Sequence, residues 1–141
     1  QRWMATSPRA RLKPTPRDMG TYRAECLAHL RQAAIAVRKC KVCLRPFVRG
    51  GRTDKETVEL LRFDLAGPCD ELEKLCLDPS VFHSQTVFTA TCQFKGKLSR
   101  LRDLLGQNTA FALSYWLSEV KPQYSSVLTC LAREIARLEE G

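Results

Sequence analysis

Apolar residues recur along this chain at alternating steps of four and three. The first run is Cys26, Leu30, Ala33, Val37, Cys40 and Leu44. On an α-helix that spacing gathers one apolar seam and leaves the rest of the cylinder polar. It predicts a helix A from near Thr21 to Arg45 or Phe47, ended by Pro46, which has no N–H for the ladder, and by Gly50-Gly51. A second seam, Val58, Leu61, Leu65, Leu72 and Leu75, predicts helix B. This helix opens on a capping box, Thr53-Asp54-Lys55-Glu56, with the Thr53 hydroxyl accepting the Glu56 N–H. The seam position between Leu65 and Leu72 is Pro68, preceded by Gly67. Because the apolar phase survives them, the expectation is a single kinked helix ending at Leu77. The alternative is a break, with Pro68 starting a new short helix. Asp78-Pro79-Ser80 then reads as a tight turn.

Segment 81–94 reads in two ways. Phe88, Ala90, Cys92 and Phe94 alternate with polar residues as a strand would, whereas Val87, Thr91, Phe94, Leu98, Leu101 and Leu105 form a helical stripe. A lone strand has no partner here, so helix C is expected from about Val81 to Leu105, with Gly106 as its cap. Helix D starts at Asn108 or Thr109. Its seam is Leu113, Leu117, Val120, Tyr124, Val127, Leu131, Ile135 and Leu138, holding phase across Pro122, where a kink is expected.

Four seams in one short chain are buried only against one another, and short connections make sequential helices antiparallel neighbours. The predicted fold class is therefore all-α, an antiparallel up-down-up-down four-helix bundle of long helices, two of them kinked at proline. Its predicted span is residues 21–141. Residues 1–20, with Pro8, Pro14, Pro16 and five Arg or Lys, read as a flexible basic leader without the apolar core of a signal peptide. Ser7-Pro8 and Thr15-Pro16 are minimal sites for proline-directed kinases, although any solvated linker of this composition shows such dipeptides.

Composition narrows the class. At 141 residues, with 44% hydrophobic and 27% charged, the chain suits one globular core. No apolar run reaches the roughly 18–20 residues that cross a bilayer. Seven cysteines is an odd count without the spacing of a secreted disulfide scaffold, which points to a reducing, intracellular setting, cytoplasmic rather than nuclear.

The net charge of +8 is unevenly spread: residues 1–52 hold 13 Lys/Arg against 2 Asp/Glu, while residues 53–79 hold 3 against 8. Helix A is thus basic and helix B acidic, an arrangement that favours their pairing by about 0–1 kcal/mol per exposed ion pair.

Catalytic chemistry finds little support. Cys40-Lys41-Val42-Cys43 is a C-x-x-C, but a structural zinc site needs a second ligand pair, and a redox motif sits at a helix start rather than late in one. His29 and His83 have no Cys, Ser or carboxylate at a spacing that makes a nucleophile or an acid–base pair. Asp70, Glu71, Glu73 and Asp78 lack the alternating oxygen ligands and mid-loop Gly of a calcium loop. Gly50-Gly51 is followed by Arg52-Thr53, which is not a phosphate-binding loop. No catalytic residue, metal or cofactor is expected.

The surface carries more. On helix A, Arg31, Arg38 and Arg45 recur every seven residues with Ile35 and Val42 between them. These five either complete a wide core face or form an exposed apolar row flanked by cations, which suits a partner amphipathic helix with acidic flanks. Lys95, Lys97, Arg100 and Arg102 make a secondary basic patch on helix C. Together the cations also suit nucleic acid or an anionic membrane surface, the alternative reading. Phe111, Tyr115 and Trp116 crowd the start of helix D, either capping the core end or anchoring an interface. The plan is similar in architecture to focal-adhesion-targeting and vinculin-type bundles, without their motifs. That likeness implies a partner helix held in a groove beside helix A.

Overall fold

The computed structural model describes residues 16–140, which are all-α, with no strand among them. Helix α1 spans Pro16–Val48, α2 Lys55–Leu75 and α3 Gln85–Leu105. Helix α4, Thr109–Tyr115, runs without a break through a π-helical turn, Trp116–Val120, into α5, Lys121–Glu140. Helix α1 packs on α2 and α5, and α3 packs on the same two helices, so the contacts close into a ring. The expected leader through residue 15, with Ser7 and Thr15, lies outside the described residues. Residues 16–20 already belong to α1, where Pro16 suits a first helical position that needs no N–H.

The seams form the core. Every residue of the first is buried to 1% exposure or less, and Phe47 extends it. Val58, Leu61, Leu65, Leu72 and Leu75 of α2 are buried, and Pro68 fills the seam position between them. Helix α2 continues through Gly67-Pro68, because glycine has no Cβ to clash with the proline ring and can keep helical angles before it. In α3 the helical stripe is buried throughout, and the Thr91 hydroxyl donates to the Val87 carbonyl at 2.8 Å, so the polar member of the stripe is satisfied within the helix.

Several boundaries differ from expectation. Asp54, not Thr53, caps α2: its carboxylate accepts from the Thr57 N–H at 2.9 Å and the Thr57 hydroxyl at 2.8 Å. Helix α2 stops at Leu75, and Pro79–Phe82 forms a 3-10 turn capped by Asp78. Helix α3 starts at Gln85, not Val81, because Ser84 caps it and His83 takes the left-handed φ of 68° that reverses the chain. Asn108 caps α4 as expected. Gly106 ends α3, but not through a left-handed turn. The Arg62 guanidinium carbon lies only 2.8 Å from where a Cβ on Gly106 would stand.

The largest departure is in the last rod. Ala112 and Trp116 are buried, whereas Leu117 is 55% exposed and Leu113 only half-buried. In the π-turn the Lys121 N–H bonds the Trp116 carbonyl, five residues back. This turn sits directly before Pro122, which cannot donate to the ladder in any case. Burying the indole is worth about 4–6 kcal/mol against about 2–3 kcal/mol for a leucine, so turning Trp116 inward repays one wide turn. Phe111 stays 53% exposed and Tyr115 is half-buried.

Candidate functional site

Of the expected partner-binding residues, Ile35 and Val42 lie outside the core, at 43% and 58% exposure. They sit on the side of α1 opposite its seam, with Arg38 between them. All three border a groove of about 450 Å³ between α1 and α2, completed by Lys39, Cys43, Asp64 and Pro68. A second depression of about 290 Å³ continues it past Gln32, Ala36, Gly67 and Glu71. Gly67 presents no side chain to the second depression, and Pro68 turns inward with the seam. A Cβ on Gly67 would meet nothing within 4 Å.

Pro68 has a second effect. Without its N–H, the Asp64 carbonyl loses its helical partner, and the Cys43 thiol points at that oxygen from 3.9 Å. The groove therefore combines an apolar lining with a backbone acceptor held only weakly. Its walls differ in sign: Arg38 and Lys39 stand on α1, Asp64 and Glu71 on α2. Leu60 and Phe63, at 61% and 76% exposure, extend the apolar surface along α2.

The other expected residues are dispersed. Arg31 pairs with Glu139 on α5 and leaves the groove. Arg45 is exposed beside the same helix, where it and Arg38 oppose the upward push that burial gives the Tyr124 hydroxyl. Lys41 lies over the Tyr124 ring, 5.0 Å from its centre. The secondary basic patch does not assemble into one surface. Lys95 pairs with Glu73 at 3.7 Å, Lys97 pairs with Glu119 at 3.3 Å, and the Arg102 Nε–H donates to the Arg62 carbonyl at 3.1 Å. Arg100 is exposed.

Of the C-x-x-C thiols, Cys40 is buried in the core and Cys43 is half-buried at the groove. Burial pushes both thiols upward, and Cys40 donates to the Ala36 carbonyl at 3.2 Å. Among the described residues no three His, Cys, Asp or Glu side chains converge as metal ligands would.

One cluster escaped the sequence reading. Glu134 is buried at 5% exposure and accepts from His83 Nδ1 at 2.7 Å and from Arg137 Nη2 at 2.7 and 2.8 Å. Burial alone would raise its pKa, but the hydrogen bonds and charges of Arg137 and His83 outweigh it and hold the carboxyl below its usual range. His29 is also structural. Its Nε2–H donates to the Leu75 carbonyl at 2.8 Å, at the end of α2, and its ring meets Phe82 edge-on. The only sequence signal for the cluster was that Glu134 falls in the buried phase of α5, four positions before Leu138.

No helix among the described residues is long and apolar enough to cross a membrane. Comparison of the chain with models of known protein families, with curated proteins and with solved structures finds no match.

Proposed function

We propose that the chain is an intracellular, cytoplasmic interaction module without catalytic activity, the scaffold, adaptor or regulatory domain of a larger protein. In this reading its helices form an antiparallel up-down-up-down four-helix bundle. Pairs such as Cys43 with Asp64 and His29 with Leu75 support opposite senses for α1 and α2, as Lys41 with Tyr124 and Arg31 with Glu139 do for α1 and α5. The observation that carries the functional reading is the exposed Ile35–Val42 row beside a groove with oppositely charged walls. Such a surface receives an amphipathic helix through its apolar anchors, with an acidic flank along α1. Because α2 contributes Asp64 and Glu71, the other flank of the partner carries cations.

Binding of nucleic acid or anionic lipid through cations alone is less favoured. Arg31, Lys95 and Lys97 are engaged in ion pairs within the chain. The test is affinity capture from lysate by wild-type and Val42→Asp chains, in about 50 and 300 mM salt, a range that separates phosphate binding from groove binding. A protein retained in both salts and lost with Val42→Asp supports the reading. Nucleic acid or lipid held equally by both chains at low salt, and released at high salt, overturns it.

A further inference from the structure

The chemistry sought against α1, exposed apolar anchors with an acidic flank, is also present on this chain. Helix α2 carries Leu60 and Phe63 exposed at 61% and 76%, with Glu59 and Asp70 beside them, while the facing side of α1 carries Ile35 and Val42 between cations. We propose that the occupant of this face is a second copy of the chain, a proposal that rests on the groove reading above and names its partner. The two copies form an isologous dimer in which α1 of each lies along α2 of the other.

Charge selects the arrangement. A two-fold axis running across the helices sets α1 against α1, basic on basic, and like-charge contact disfavours it. An axis running along the helices sets α1 against α2 of the other copy, basic on acidic, in both halves of the interface at once. This second axis also keeps every residue at its own level. The Cys43 thiol meets the Asp64 carbonyl, so in an antiparallel pair Phe63 and Asp70 lie within about half a turn of the levels of Val42 and Arg38. The dimer therefore sets Phe63 of one copy over Val42 of the other, and Asp70 against Arg38. The two grooves face each other, and the apolar side chains that line them fill the enclosed space.

The test is sedimentation equilibrium of the full chain over a micromolar to submillimolar series, with Arg38→Glu, with Asp70→Arg and with an equimolar mixture of the two. Both positions are exposed, and circular dichroism verifies that each variant stays folded. Wild type is expected to dimerise, and each swap alone to weaken the dimer roughly tenfold or more, because both symmetry-related contacts become repulsive. The mixture is expected to restore dimerisation. In its heterodimer the introduced glutamate meets the introduced arginine, while the unaltered Arg38 of one copy meets the unaltered Asp70 of the other. A monomeric wild type across the series, swaps that leave the dimer unchanged, or a mixture that fails to recover it overturns the inference. A monomer whose captured partner is still lost with Val42→Asp defeats the second-copy assignment alone. Capture that Val42→Asp does not alter defeats the groove reading beneath it.

Discussion

Replacing Glu134 by Gln isolates the one buried carboxylate of the described residues. The side chain is 5% exposed and accepts four hydrogen bonds of 2.7–3.2 Å, one from His83 and three from Arg137. A net hydrogen bond to a charged group contributes about 1.5–3 kcal/mol when buried. Arg137 is 66% exposed at its side chain, so its share falls to the surface range of about 0–1 kcal/mol. Glutamine keeps one acceptor oxygen, and the expected loss is about 2 kcal/mol, or about 6–8 °C in Tm for a chain of this size. The sign of the pH dependence comes from the lowered pKa of Glu134. The unfolded chain binds the extra proton first, so the contribution of the carboxylate is complete above the ordinary glutamate value of about 4.3 and is lost as pH falls through the folded value. Urea unfolding of both chains at about pH 7 and about pH 3 reads this directly, as the gap between them should close at the acid end. A gap of the same size at both pH values, or none at neutral pH, would refute the account of a paired, ionised carboxylate.

Three further perturbations test the fold and its caps. Leu98→Ala removes a side chain with no exposure and is expected to cost about 3–5 kcal/mol, measured as a lower urea midpoint with an unchanged slope. Thr53→Ala should leave thermal stability unchanged while Asp54→Ala lowers it, the reverse of what a capping box predicts. The Asp54 effect should fade in acid, since hydrogen bonding to Thr57 holds its carboxyl below the usual range. Asn108→Ala should cost about 1 kcal/mol by leaving the Phe111 N–H without its side-chain acceptor, an effect readable in hydrogen exchange at the start of α4.

The seams were legible in the sequence because a period of three and four has one structural meaning over six or more residues. Even Pro68 could be placed, since the phase on both sides of it agrees. The cap of α2 was not, because Thr53 and Asp54 are both good capping residues and periodicity does not choose between neighbours. The last rod misled for a related reason. Leu113 and Leu117 extend the later stripe as well as Ala112 and Trp116 do, and only the packing of an indole against a leucine separates them. Half of the groove could be read from α1 alone, through Ile35 and Val42. Its other wall depends on which residues of α2 stand at the same level, a relation that no local pattern contains. The same holds for Arg31 with Glu139, Lys95 with Glu73 and Lys97 with Glu119, whose pairing withdraws cations from the surface they were expected to form.

The wide turn at Trp116–Val120 holds one residue more than an α-helix would use over the same distance. Excising Ser118 would close it into regular helix, with Trp116 and Val120 still facing inward, three positions apart instead of four. The same excision elsewhere in the rod would swing every later side chain by about 100° and carry Val127, Leu131 and Leu138 out of the interior. The gene can thus lose one codon here and keep the remainder of the rod in register.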